Sequence, residues 1–165
     1  MELISVRALF KDTASYAGKE VTIGGWVRNR RPSKQFGFIV LNDGTYFTPV
    51  QVVYNDTIEN FQEISKINIG AALIVKGTLV ETPDSKQPFE IQATEVVVEG
   101  ASTGDYPLQP KRHTMEFLRT ITHLRPRTNT FQAVFRVRSL AAMAIHSFFQ
   151  ERDFVYVHTP LITGS

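Results

Sequence analysis

Five stretches of strand composition, separated by turn residues and interrupted once by a helical pattern, constrain this chain more than any other feature. Residues 21–28 (VTIGGWVR) alternate and are rich in strand formers, and Gly24 and Gly25 read as a bend or bulge within them. Residues 36–41 (FGFIVL) make a second run, closed by Asn42-Asp43-Gly44-Thr45, a turn by composition. Residues 48–54 (TPVQVVY) alternate again, with Pro49 near the start, where a missing N–H is tolerated. Phe61, Ile64 and Ile67 then recur at helical spacing, which predicts a short helix over about 58–66 capped by Asp56 or Thr57. Residues 71–81, broken by Gly77, and 89–98 supply two more strands around a loop at 82–87.

Three strands, a helix and two strands is the order of the OB-fold, a five-stranded Greek-key barrel, so the expected class is mainly β. The apolar positions Val6, Leu9 and Phe10 predict a helix within residues 1–15 that plugs one end of the barrel. The domain is expected over 1–102, followed by a linker over 103–129. Gly104, Pro107, Pro110 and Pro126 interrupt that linker, and a short helix is expected near 115–120. From residue 130 to 150 a wide apolar stripe predicts a long helix capped by Asn129 or Thr130, and 153–157 (DFVYV) turns to strand period before Thr159-Pro160. A helix and one apolar strand over 130–165 have nothing left in the sequence to pack against, so they pair with another subunit or belong to a larger domain.

Charge is uneven. Through Gly100 there are 10 Lys and Arg against 12 Asp and Glu, and from Ala101 onward 8 against 4. The positive charge of the first segment is concentrated in Arg28, Arg30, Arg31 and Lys34, and such a local cluster fits either a solvated hairpin or a polyanion site, because screening confines its field to about 8–10 Å. Strand one ends in this cluster, strand two carries Phe36 and Phe38, and strand three carries Gln51 and Val53. In an OB-fold, strands two and three form the face that holds single-stranded nucleic acid. A ring there stacks on an unpaired base, and an amide and a guanidinium supply the donors and acceptors that choose it. Phe36 and Phe38 share one side of their strand, so the alternation admits two arrangements: both rings outward, or both in the core.

Other chemistries find little support. There are no cysteines, which excludes disulfides, zinc–thiolate clusters and thiol nucleophiles together. His113, His123, His146 and His158 are scattered, and there is no paired-carboxylate arrangement, Gly-rich phosphate loop or metal-ligand spacing. No catalytic residue and no metal site is therefore expected. No run of about 18 apolar residues predicts a transmembrane helix, and the first ten residues lack the basic start and apolar stretch of a signal peptide.

The barrel residues resemble the anticodon-binding domain of the aspartyl/asparaginyl/lysyl group of class II aminoacyl-tRNA synthetases. The likeness is carried by Gly25-Trp26-Val27-x-x-x-Arg31, Phe38-Ile39 and Val50-Gln51-Val52. It implies that Phe38 stacks on the central anticodon uridine and that Gln51 and Arg31 hydrogen-bond it. It also places the base on the 5′ side near Arg28 or Asn29, and the base on the 3′ side at the loop 82–88, which contains Lys86. Val53 stands where aspartyl members often have a second aromatic. The run Phe148-Phe149-x-x-Arg152-x-Phe154-x-x-Val157-x-Thr159-Pro160-Leu161-Ile162 is similar to motif 1 of class II enzymes, a helix and strand at the homodimer interface. Residues 111–119 and 123–128 look like the bacterial asparaginyl hinge, and 159–165 continue that likeness.

The resemblance implies an asparagine-accepting tRNA as partner, a homodimer through Phe148, Phe149, Phe154 and Pro160, and a cytoplasmic location. It also implies ATP and magnesium as needs of the family's reaction, with no cofactor held by these residues. Motifs 2 and 3 of the family lie beyond this stretch, so the 165 residues are expected not to catalyse by themselves. Two other readings stay open: a stand-alone OB-fold protein for RNA or single-stranded DNA, and an aspartyl or lysyl relative.

Overall fold

The computed structural model describes every residue except Met1, Thr163 and Ser165. The expected N-terminal helical segment and the run 159–165 therefore lie partly outside the described residues. Five strands, β1 (Glu20–Pro32), β2 (Phe36–Asn42), β3 (Val50–Asn55), β4 (Ala72–Glu81) and β5 (Phe89–Gly100), close into one barrel in the order β1-β2-β3-β5-β4. Neighbours are antiparallel except β3 and β5, which are parallel. This is the mainly β OB-fold architecture that the strand order predicts, and closure leaves no open edge. Period-two alternation builds the core: Ile39 and Leu41, Val52 and Tyr54, Val75 and Leu79, and Phe89 and Ile91 all point inward and are buried.

The chain before β1 closes one end of the barrel. It forms two short helices rather than one, α1 (Val6–Lys11) and α2 (Thr13–Tyr16), because the Asp12 side chain accepts the Ser15 N–H and starts a new turn. Val6 and Leu9 enter the core. Asp43 in the β2–β3 turn fastens α1 by accepting the Val6 N–H at 2.8 Å. The third helix, α3 (Phe61–Ile64), is shorter than the spacing predicts and begins at Asn60 instead of Asp56 or Thr57. Asn55 Oδ1 accepts from both the backbone and the hydroxyl of Thr57, which holds that stretch in a turn and uses up the cap.

Gly24 and Gly25 do not form the bulge read from their sequence. The β1–β4 ladder runs through both without a shift. Gly25 instead permits close approach, since a Cβ there would lie 2.9 Å from the Asn42 carbonyl oxygen. The bulge of β1 falls at Arg28, between the pairs Val27↔Leu41 and Asn29↔Val40.

The chain divides into two compact units, Met1–Leu118 and Arg119–Ser165. In the first, the segment after β5 lies back on the barrel. The Tyr106 ring covers Gly70, whose φ of +87° suits glycine, Asn68 Nδ2 donates to the Ser102 carbonyl at 2.8 Å, and Leu108 and Leu118 are buried. Helix α4 (Met115–Thr120) forms where the sequence predicts it.

In the second unit a 3-10 turn (Arg125–Arg127) leads into α5 (Asn129–Gln150). Its cap is Thr128, whose hydroxyl accepts the Phe131 N–H, and not Asn129 or Thr130. The strand expected over 153–157 does not form, because among the described residues no strand runs beside it to complete a ladder. Asp153, at φ +62°, reverses the chain, and the segment folds back along α5 with Phe154 against Phe149 (5.3 Å between centroids) and Tyr156 against His146 (4.8 Å). Among the described residues no helix is long and apolar enough to cross a membrane.

Candidate nucleic-acid interface

One residue of register decides which side chains share the outer face of β1 and β2. Val27 points into the core, so uninterrupted alternation would turn Asn29 and Arg31 inward as well. The extra residue at Arg28 shifts the phase. Asn29 then lies opposite Val40, Arg30 opposite the buried Ile39, and Arg31 opposite Phe38. Arg30 is thereby sent away from the face, and its Nη1 donates to the Ser65 carbonyl at the end of α3 (2.7 Å). Arg31 comes out beside the aromatic pair.

Phe38 faces outward. Its neighbours Gly37 and Ile39 are buried while Phe38 is only half-buried, which settles the two arrangements that alternation allowed. The Arg31 guanidinium lies 5.2 Å from the centroid of this ring, within cation–π range. Phe36, 44% exposed, meets it edge-on at 5.6 Å. Gly37 lets β2 lie flat here, because a Cβ at that position would overlap the Tyr54 ring beneath. Val53 is the cross-strand partner of Phe38 on β3 and is half-buried.

Gln51 sits one row away, opposite Val40. Its Oε1 accepts from Arg31 Nη2 at 3.4 Å, and its Nε2 donates to Glu90 Oε2 at 3.3 Å. The two contacts are long, and they fix which end of the amide points where, since the cation can only donate and the carboxylate only accept. The Gln51 backbone N–H donates to Gln87 Oε1.

The remaining expected residues divide. Arg28 occupies the bulge, and Asn29 Oδ1 accepts the Arg30 N–H at 2.8 Å, which ties it to its own backbone. Lys86 is exposed in the loop after β4, and no hydrogen bond or ion pair among the described residues joins it to the Phe38 cluster. Glu90 and Gln87 were missed by sequence reading. The signal was present in the alternation of 89–92, where Phe89 and Ile91 are core and Glu90 and Gln92 must face out. In the second unit Phe148, Phe149, Phe154 and Pro160 are exposed, and the Arg152 guanidinium lies 3.8 Å from the Phe148 centroid. No group of His, Cys, Asp and Glu able to hold a metal ion occurs among the described residues.

Comparison with known proteins agrees with the fold. The family model described as OB-fold nucleic acid binding domain matches residues 21–99. Among curated relatives, the asparagine–tRNA ligase of Alkaliphilus oremlandii is 63% identical over 165 residues and that of Acetivibrio thermocellus 61% over 166. All of this chain is covered in both cases, and the chain spans 36% of the length of either relative. Among solved structures, asparaginyl-tRNA synthetase from Pyrococcus horikoshii complexed with asparaginyl-adenylate superposes with a TM-score of 0.84 at 22% identity, over 98% of this chain and 37% of that one. At that identity the superposition speaks for the fold alone. Residues 21–99 match the model of the OB-fold nucleic acid binding domain, and over its whole length the chain is similar to asparagine–tRNA ligases, about a third of whose sequence it spans.

Proposed function

We propose that this chain reads the anticodon of an asparagine-accepting tRNA, as the tRNA-binding part of a ligase that joins asparagine to that tRNA at the expense of ATP. The observation that carries the reading is the outward Phe38 ring flanked by Arg31 and Gln51. The ring offers a stacking platform worth about 1–3 kcal/mol per base. Beside it stand a guanidinium, which only donates, and an amide held in one orientation, so the uridine edge with its two carbonyls and one N–H meets groups already placed. Preorganisation lowers the ordering cost of binding. Arg28, Asn29, Phe36, Val53 and Lys86 extend the surface on either side toward the flanking anticodon bases. The reading implies a cytoplasmic location, where tRNA is charged.

Titration with an anticodon stem-loop tests it. Phe38→Ala is expected to weaken binding by about 1–3 kcal/mol with the fold intact. Gln51→Ala is expected to relax the choice of uridine over cytidine at the central position. Unchanged affinity in the first and unchanged discrimination in the second would remove these residues from the site. Equal binding of a scrambled loop would instead favour a general single-strand-binding protein, and equal binding of an aspartate anticodon loop would favour an aspartyl relative.

A second proposal concerns α5. Val137, Leu140, Met143 and Phe148 are all at least half-exposed along this helix, and Phe149 and Phe154 extend the apolar surface. We propose that this surface, with Pro160, pairs with the same surface of a second copy. Exposed apolar patches of this kind mark association sites.

A further inference from the structure

Glu90 puts a carboxylate on a face proposed for a polyanion, where it repels phosphate. The fold fixes its place. Phe89 and Ile91 on either side of it are buried, and Phe89 packs on the Phe10 ring at 4.8 Å, so alternation turns Glu90 outward. Among the described residues no cation pairs with it, and its one hydrogen bond is the one it accepts from Gln51 Nε2. On β3, Val50 and Val52 are buried on either side of Gln51, whose backbone N–H donates to Gln87 Oε1 at 3.2 Å. Both backbones are thus anchored. The Gln51 amide lies between the Arg31 guanidinium, which only donates, and the Glu90 carboxylate, which only accepts.

An amide can lie either way round. Turned end for end, this one would set its N–H hydrogens against the guanidinium and its oxygen against the carboxylate, like facing like at both ends. As it lies, one lone pair of Oε1 and one hydrogen of Nε2 remain for a ligand. Arg31, Gln51 Oε1 and Gln51 Nε2 then present donor, acceptor and donor in turn. The uridine edge is the complement: O4 accepts, N3–H donates and O2 accepts. Cytidine offers donor, acceptor and acceptor in the same order, so like groups meet at two of the three places. The turned amide would present donor, donor and acceptor, which complements cytidine approached from its O2 side.

We propose that Glu90 is the positioning residue that makes this face select uridine over cytidine at the central base, by holding the Gln51 amide one way round without touching the base. The inference rests on the reading of the Phe38 face as an RNA surface. It gives the carboxylate a purpose there, since its repulsion of phosphate is offset by a gain in selectivity.

Titration of the 165-residue chain with anticodon stem-loops carrying uridine or cytidine at the centre gives the ratio of the two affinities. Glu90→Gln, whose amide both donates and accepts, is expected to lower that ratio several-fold, chiefly by raising affinity for the cytidine loop. In a Gln51→Ala background the same substitution is expected to leave the ratio where it was, because an effect exerted through Gln51 vanishes with it. If Gln51→Ala lowers the ratio but Glu90→Gln changes both affinities by one factor, the carboxylate acts through its charge alone; its positioning role is overturned and the RNA face stands. A ratio that moves with Glu90→Gln in the Gln51→Ala background gives Glu90 an effect of its own and also overturns the role. If Gln51→Ala keeps the full ratio, or neither loop binds, the reading of this face falls and the inference with it.

Discussion

Arg31 presents a flat cation to the Phe38 ring and a donor to the Gln51 amide, and a lysine reproduces only the charge. Its guanidinium is planar, weakly hydrated and able to stack, whereas an ammonium is a compact point charge that holds its water. Arg31→Lys is therefore expected to lower stem-loop affinity by about 0.5–1 kcal/mol, the size of an exposed cation–π contact, while leaving the salt dependence of binding as it was. Arg31→Ala loses the charge as well, so its plot of log affinity against log salt should be shallower. Titration of both variants at several salt concentrations checks the pair, and a Lys variant indistinguishable from the unsubstituted chain would mean that only charge matters at this position. The same network explains the acidic residue in a surface proposed for a polyanion. Glu90 accepts from the Gln51 amide and so turns the other end of that amide toward Arg31.

At the scale of strands and turns, small residues and single insertions set what the face presents. Gly37 stands between Phe36 and Phe38 with the Tyr54 ring directly below, and any Cβ would collide with a side chain that is itself fully buried. Gly37→Ala is expected to destabilise the chain by about 1–3 kcal/mol in urea unfolding, the usual range for overpacking, with an unchanged m-value. A destabilisation below about 0.5 kcal/mol would mean that Tyr54 moves aside freely. Period-two patterning was enough to find all five strands and the candidate residues Phe38 and Gln51, and the helical stripe of 130–150 was enough to find α5. It did not find the bulge at Arg28, because an inserted residue leaves no compositional mark and the neighbouring glycines invited the wrong placement. The face of Phe38 was open for a related reason, since alternation gives phase only relative to a residue whose side is already known. Ile39 and Gly37 supply that reference once the barrel closes. The strand expected at 153–157 failed on a different ground, because a strand needs a neighbour for its backbone and sequence period does not supply one.

For the whole molecule, the second unit carries a surface that its own residues do not cover. Along α5, Val137 is 66% and Leu140 71% exposed, and together with Met143 and Phe148 they form an apolar run on a helix that contributes no buried residue. Burying a leucine side chain contributes about 1.5–3 kcal/mol, so several such residues meeting across a two-fold axis would hold a dimer against the entropy lost on association. A closed, isologous pairing is the arrangement expected when one patch is used by both copies. Sedimentation across a dilution series should then give a reversible monomer–dimer equilibrium. Leu140→Lys, which places a charge at the centre of the run, should shift the chain to monomer without lowering the unfolding midpoint of the barrel, because Leu140 lies outside that unit's core. A single monomeric species at all concentrations, or a Lys variant that dimerises as before, would place the contact elsewhere. Stem-loop binding by the monomeric variant completes the argument: if the barrel reads RNA through Phe38, its affinity per chain should match that of the unsubstituted protein, since none of the residues proposed to touch the base lies on α5.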